Sequence, residues 1–165
     1  MAAPDISDQS SFAAIGAALV DTVEAAVPKL RAMSESRAGQ PREAGKWSPK
    51  QVIGHLIDSA ANNHHRFVRA QEGDSYTGPG YTQDHWVAVQ GYQDSSWEDL
   101  IALWRAYNRH LARVIARIPD ARRGTTCTIG TQAPMTLGFV ASDYVRHVRH
   151  HLGQAGALPD GVPSK

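Results

Sequence analysis

The chain has 165 residues, of which 42% are hydrophobic and 20% charged, and its formal net charge is +1. These values are ordinary for one globular domain, so we expect residues 1–165 to form a single domain. A net charge this close to zero gives no reason to expect nucleic-acid or membrane binding. The sequence lacks an apolar run of transmembrane length and a signal-peptide pattern, and its single cysteine excludes an intramolecular disulfide. We therefore expect a cytoplasmic protein.

The first predicted helix runs from about Ser10 to Ala32. Its inward positions recur every three or four residues, which is the period of an amphipathic helix. Pro28 falls inside this pattern, and we expect it to kink the helix or to end its regular part, because proline removes a backbone donor. The inward positions are Phe12, Ile15, Leu19, Val23 and Val27.

The second predicted helix has a well-defined start and ends near Gly73. Ser48 is a typical N-cap, and Pro49 suits the first helical position, where its missing N–H is not needed. Gln51 stands three residues after Ser48, in the spacing of a capping box. His55 is therefore expected about two turns into a well-specified helix.

The two faces of this second helix differ in polarity. His55 lies on the polar face together with Ser59, Asn62 and Arg66. This pattern favours a solvated face. In the alternative interpretation, the face is one wall of a polar groove in which His55 binds a metal ion and Asn62 and Arg66 contact substrate. The apolar face carries Ile53, Leu56, Ile57, Ala60 and Phe67.

A long connection follows, from Gly73 to Asp94. Within it, residues 82–90 are predicted to form a short helix, with Trp86 and Val89 packed against the domain. Long loops in compact domains are often functional or partly structured. The segment is interpreted as a crossover between the two sides of a bundle, or alternatively as a rim or lid over the metal groove.

The third predicted helix begins at Ser95 or Ser96 and stops before Pro119. Asn108 lies within its apolar stripe. Buried amides are normally hydrogen-bonded, so Asn108 is expected to bond to a neighbouring helix or to loop backbone, with a substrate contact as the alternative. The stripe contains Trp97, Leu100, Ile101, Trp104, Leu111, Ile115 and Ile118.

The segment from Thr125 to Gly130 is rich in β-branched residues and predicts a short extended segment or hairpin arm. Cys127 lies within it. We interpret Cys127 as a small structural residue rather than a nucleophile, because nothing else in the sequence indicates an activated thiol.

The fourth predicted helix starts near Leu137 and carries His147 and His151 on its apolar stripe. Residues four apart on a helix are stacked neighbours, so both rings can bind one metal ion. Such a site needs a third ligand from elsewhere, and the alternative is a pair of hydrogen-bonded core histidines. Val148 follows His147 where the zinc-protease motif requires glutamate, which excludes that motif.

Several short motifs follow one another along the chain, namely Trp47-Ser48-Pro49, Gly54-His55-Leu56, Trp104, Asn108 and Tyr144-x-x-His147-x-x-His150-His151. In this order they resemble the DinB/YfiT-like superfamily of small metal-binding four-helix bundles. The similarity extends from about the first helix to Gln154. With the four helical patterns, it predicts an all-α fold, namely a four-helix bundle with a long crossover between helices 2 and 3.

The resemblance implies a site for a divalent metal formed by one histidine of helix 2 and a histidine pair of helix 4. The corresponding residues in this chain are His55, His147 and His151. Three imidazoles leave at least one coordination position open, as in catalytic sites. Zinc is the first choice of metal, and nickel, iron and manganese are alternatives that also accept imidazole.

Acidic residues near these ligands are further candidates. Asp58 and Asp143 are candidates for carboxylates that orient the ligand rings, with a surface salt bridge as the alternative for each. Asp58, Asp143 and His150 are also candidate acids or bases, but the sequence assigns no catalytic residue.

The resemblance implies a metal-dependent enzyme that acts on a small-molecule substrate. The implied reaction classes are S-transfer with a low-molecular-weight thiol as cofactor, and hydrolysis. The alternative is a non-catalytic, stress-associated metal-binding protein whose metal stabilises the bundle. A homodimer is expected on the resemblance alone.

Overall fold

The computed structural model describes residues 6–158, so the ends of the predicted domain, 1–5 and 159–165, lie outside the described residues. The fold is mainly helical, with a small three-stranded sheet. The elements are α1 Phe12–Arg31, α2 Glu35–Ala38, α3 Pro49–Arg69, β1 Ser75–Gly78, α4 Gln83–Gln90, α5 Trp97–Ala116, β2 Thr126–Ile129, β3 Met135–Thr136 and α6 Leu137–Gln154.

The four long helices begin where hydroxyl side chains can cap them. Ser11, Ser48, Ser96 and Thr136 each accept a hydrogen bond from a backbone N–H of the first turn. At Ser48 the predicted capping box is complete, because its backbone N–H also donates to the Gln51 side chain at 3.0 Å. These caps satisfy backbone donors that would otherwise lack partners at the helix starts. The predicted starts of the last three long helices are therefore confirmed within two residues.

Helix α1 continues past its proline to Arg31, three residues beyond Pro28. It packs mainly against α5. Ion pairs from Arg105 to Glu24 at 2.8 Å and from Arg31 to Glu98 at 2.5 Å show that the two helices are antiparallel.

Helices α3 and α5 run in the same direction. At their starts, Lys50 donates to the carbonyl of Ser95 at 2.7 Å, and further along His64 Nδ1 lies 3.2 Å from the Tyr107 hydroxyl. The connection between them must therefore bring the chain back along the whole length of α3. It does so through β1, α4 and a 3-10 turn at 92–94, and α4 and this turn pack on α3.

Helix α6 completes the bundle by packing against α1 and α3. Its Tyr144 hydroxyl donates to Asn108 of α5 at 2.6 Å, so the expectation that Asn108 bonds to a neighbouring helix is confirmed. Because α1 and α3 each pack mainly against α5 and α6, they lie across the bundle from each other. The predicted four-helix bundle with a long crossover between the second and third long helices is confirmed.

The extended segment predicted at 125–130 is strand β2, but its pairing was not predicted. It pairs in parallel with β1 and antiparallel with β3. Cys127 of β2 is buried, and burial raises the pKa of its thiol, which suits a structural residue.

Helix α4 confirms the predicted short helix, but one of its predicted inward residues is wrong. Val89 is 65% exposed, whereas Val87 is 3% exposed and provides the buried contact. Trp86 is half-buried, and its ring centroid lies 5.2 Å from that of Tyr81. Within residues 6–158, no helix combines the length and apolar content needed to cross a bilayer.

Gly54 allows the crossover to pack tightly against α3. A methyl group at this position would lie 2.1 Å from the aromatic ring of Tyr92. The Tyr92 hydroxyl also donates to buried Asp58 at 2.6 Å, so the ring cannot move away without breaking this bond. The glycine is therefore required by a close approach of side chain to helix.

We expect Gly54→Ala to lower the free energy of unfolding by about 1–3 kcal/mol, the usual effect of overpacking. This loss should exceed the gain in helix propensity of about 1 kcal/mol. Urea denaturation checks the result. Gly124→Ala is the control, because an added methyl group there meets no atom within 4 Å. Stability equal to or above that of the wild type in Gly54→Ala would contradict the packing argument.

Candidate functional site

Three histidines converge between α3 and α6. His55 comes from α3, and His147 and His151 come from successive turns of α6. One ring nitrogen from each residue lies within 4.8 Å of the others, and no other group of three such ligands occurs in residues 6–158. The Nε2 atoms of His55 and His147 are 3.1 Å apart. The structure thus brings together the three residues that the sequence selected.

The solvated-face interpretation of the polar face of α3 is wrong. His55 is 0% exposed and Ser59 is 3% exposed, while Asn62 and Arg66 are half-buried. The cause is that α3 is covered on two sides, by α5 along its apolar stripe and by α6 beside His55. A helical wheel of α3 shows its apolar stripe. It cannot show that a second helix, α6, packs against the polar face.

Burial keeps all three imidazoles neutral. Desolvation lowers the pKa of His55 to about 4, of His147 to about 3 and of His151 to about 4. Mutual repulsion between the charged forms adds to the shifts of His55 and His147. Neutral imidazole is the form that binds a metal ion, so the lone pairs are available at neutral pH.

Gln154 orients one of these rings, and the sequence analysis did not identify it. Its Oε1 atom lies 2.8 Å from Nδ1 of His151, which leaves Nε2 of that ring free to face the cluster. Its Nε2 atom lies 3.0 Å from His150. The available signal was a glutamine three residues after a candidate ligand, at helical spacing.

Two cavities adjoin the cluster from different sides. The larger, of about 690 Å³, is lined by His151, Trp47 and Asp84, among others. The smaller, of about 300 Å³, is lined by His147 and Arg66, among others. A molecule in either cavity would lie next to one of the histidines.

The crossover between α3 and α5 forms part of the rim of this site. Tyr81 lines the smaller cavity, and its ring centroid lies 6.5 Å from that of His55. Burial raises the pKa of Tyr81 to about 12, so its hydroxyl stays protonated. On the other side, the centroid of Trp47 lies 5.1 Å from that of His55. Aromatic rings thus flank buried His55.

The two acidic candidates do not contact the histidine rings. Asp58 is 2% exposed and accepts hydrogen bonds from Tyr92 and Gln90, each at 2.6 Å. Its second oxygen has no hydrogen-bond partner in the described part of the chain, and burial raises its pKa. Asp143 lines the smaller cavity but is 3.2 Å from Arg146, which is the surface salt bridge considered as its alternative.

The two polar candidates of α3 have different surroundings. Asn62 donates to the backbone carbonyl of Asp58 at 2.9 Å, and it is the neighbouring Asn63 that lines the smaller cavity. Arg66 does line this cavity, with its guanidinium 3.3 Å from the Asn63 side-chain oxygen.

Protonation of the histidines should destabilise the metal-free fold in mild acid. In the unfolded chain these rings bind protons below a pKa of about 6.5, whereas the folded rings stay neutral until about pH 4 or below. Between these values the unfolded state holds more protons, so the free energy of unfolding falls as the pH falls. For one fully shielded ring the loss between pH 7 and pH 5 is about 2 kcal/mol.

Urea denaturation in the presence of a chelator, at both pH values, measures this loss. His147→Gln should show a smaller loss than the wild type, because one shielded ring has been removed. His85→Gln, on the exposed surface of α4, is the control and should keep the wild-type loss. Equal losses in all three proteins would show that the rings are not shielded.

Comparisons with known proteins agree with this architecture. The solved structure of YfiT from Bacillus subtilis superimposes on this chain with a TM-score of 0.74. That protein is described as a probable metal-dependent hydrolase with an unusual four-helix bundle topology. Sequence identity is 20%, over 86% of this chain and 83% of that chain. A second similar protein is OB0413 of Oceanobacillus iheyensis, which is named a putative metal-dependent hydrolase. It is 20% identical to this chain over 123 residues, which are 74% of this chain and 70% of that protein. A model of the DinB superfamily matches residues 18–155, so this chain belongs to the DinB superfamily.

Proposed function

We propose that His55, His147 and His151 bind one divalent metal ion. The observation that carries this proposal is the convergence of three neutral imidazoles. Two nitrogen ligands of one tetrahedral zinc ion lie roughly 3.3 Å apart, given bonds of about 2.0–2.1 Å. The separation of 3.1 Å between the Nε2 atoms of His55 and His147 fits this geometry.

The ligand set favours zinc among the common divalent metals. Nickel, iron and manganese also accept imidazole and are the alternatives. No carboxylate lies among the three converging ligands, and the cavities on both sides leave room for a further ligand. Such an open position is typical of catalytic rather than structural zinc sites.

The proposed activity is metal-dependent hydrolysis of a small molecule. A divalent metal held by His55, His147 and His151 would supply a Lewis acid and would lower the pKa of a water molecule. The chain contributes Trp47 and Tyr81, which restrict solvent access to His55. Tyr81 stays protonated and lines the smaller cavity, so it contributes a polar group to the cavity wall. The relatives described as metal-dependent hydrolases support the same reaction class.

Thiol transfer is the second candidate activity. The observation in its favour is that two separate cavities adjoin the histidines, which leaves room for two molecules. A low-molecular-weight thiol in the cavity beside His151 would lose its proton more readily near a divalent metal and would become a nucleophile. The electrophilic substrate would then occupy the cavity beside His147.

Metal content tests the binding proposal. Elemental mass spectrometry on untagged, dialysed protein should give about one divalent metal per chain, as one three-histidine site requires. His55→Ala, His147→Ala and His151→Ala should each lose it, whereas His85→Ala should retain it. Circular dichroism confirms that each variant is folded. A wild type that retains no metal after reconstitution would disprove the site.

Removing Gln154 should weaken metal binding without removing a ligand. Loss of a partner that orients a ligating histidine typically lowers metal affinity by about 10–100-fold. We expect this loss in Gln154→Ala, measured by competition with a chromogenic chelator. Gln154→Glu keeps an oxygen acceptor for His151 and should remain close to the wild type. Equal affinity in Gln154→Ala and the wild type would mean that the 2.8 Å contact does not orient the ring.

A substrate panel separates the two reactions from a non-catalytic role. Metal-loaded protein is assayed on esters, amides and phosphate esters, and on electrophiles with and without small thiols. Turnover that disappears with a chelator and returns with metal identifies the reaction class. A protein that gains thermal stability with metal but turns over none of these substrates would be the non-catalytic metal-binding protein of the alternative interpretation.

A further inference from the structure

Arg66 carries a half-buried charge that forms no ion pair with an acidic side chain of residues 6–158. It lies on the last turns of α3 and is half-buried. Its hydrogen-bond partner is the neutral side chain of Asn63, at 3.3 Å. Buried charges in proteins are normally paired, because desolvation of an unpaired ion is costly. Half burial removes part of the hydration of the Arg66 charge, so an anionic group in the adjoining cavity would stabilise it.

The smaller cavity holds this charge next to the histidine cluster. Arg66 and His147 both line it. The acidic residue in its wall, Asp143, is 3.2 Å from Arg146. Tyr81 adds a protonated hydroxyl. Asp143 is thus paired with a residue outside the wall, whereas Arg66 is a wall charge that has no ion pair among residues 6–158.

The larger cavity also has wall residues of both charges. Its charged wall residues are Arg42, Lys46, Glu43 and Asp84, two of each sign. Nothing in this composition selects an anion over a cation. The selectivity for a charged group therefore lies on the His147 side of the cluster.

We propose that Arg66 binds a carboxylate of the substrate in the smaller cavity, while the reacting group of the same molecule lies at the three histidines. This inference rests on the proposed function, because the histidines define the reacting end. The planar guanidinium matches a carboxylate with two parallel hydrogen bonds. A single guanidinium suits a singly charged carboxylate better than a phosphate dianion, which usually meets several cations.

The spacing along α3 also sets the shape of this substrate. His55 and Arg66 are eleven positions apart in the sequence, so their Cα atoms lie about 16 Å apart along the helix axis. The long arginine side chain shortens the distance to be spanned. Because Arg66 and His147 both line a cavity of about 300 Å³, the substrate class is a small molecule with a carboxylate at one end and the hydrolysable or electrophilic group several bonds away.

Linear dicarboxylates provide a probe that needs no knowledge of the substrate. Metal-loaded protein is titrated with the series from succinate to suberate, and with the matching diamides, by calorimetry at constant ionic strength. We expect one chain length to bind best and its diamide to bind at least about tenfold more weakly. Arg66→Gln should lose about tenfold or more in affinity for that dicarboxylate. Arg69→Gln, exposed on the same helix, should bind as the wild type does.

A stability measurement separates this role from a structural one. Because Arg66 forms no ion pair, Arg66→Gln should unfold at the same urea concentration as the wild type or at a higher one. Marked destabilisation would assign Arg66 to the fold and would overturn the inference. So would binding by no member of the series, or dicarboxylate binding equal to that of the wild type in Arg66→Gln.

The same titration on metal-free protein distinguishes the two proposals. If Arg66-dependent binding persists but the protein retains no metal, the carboxylate site stands and the metal proposal fails. If metal binds but dicarboxylate affinity does not depend on Arg66, the metal proposal stands and this inference fails. Stronger binding of inorganic phosphate than of every dicarboxylate would overturn the assignment to carboxylates.

Discussion

Packing of α6 against α3 is the contact on which the rest of the site depends. Two of the three histidines are adjacent on α6 by helix geometry alone, but His55 reaches them only because the two helices lie side by side. Each helix is fixed independently of the histidines. The capping box at Ser48 sets the start of α3, and the hydrogen bond from Tyr144 to Asn108 holds α6 against α5. The fold therefore brings the three rings together.

The electrostatic character of this region follows from that packing. The three imidazoles are neutral, because burial disfavours their charged forms. Asp58 is buried three positions after His55, yet its hydrogen bonds go to the crossover and not to a ring. A divalent cation bound by three neutral ligands keeps its full charge. With unpaired Arg66 nearby, the pocket would be strongly positive, which favours anionic molecules.

The direction of the helices explains why the crossover contributes to the site. Parallel α3 and α5 require a connection that returns along the length of α3. The returning segment covers the polar face of α3, and in doing so it places Tyr81 near His55 and Tyr92 over Gly54. The segment between α3 and α5 therefore serves both as the crossover and as part of the rim of the site. This segment and α6 together bury the polar face of α3, which is why it is not solvated.

The sequence by itself determined the local features of this protein. Hydroxyl residues and proline mark the helix starts, the three-to-four-residue period marks the helices, and the spacing of His147 and His151 places both rings on one face, because each of these signals acts within a few residues. Only the tertiary structure decided which way His55 faces, which valine of α4 is buried, and that β1 pairs in parallel with β2. It also decided that Gln154 orients His151 and that Arg66 faces a cavity without an acidic partner. These features depend on which elements pack together, and packing joins residues far apart in the chain whose contact no local period or propensity encodes.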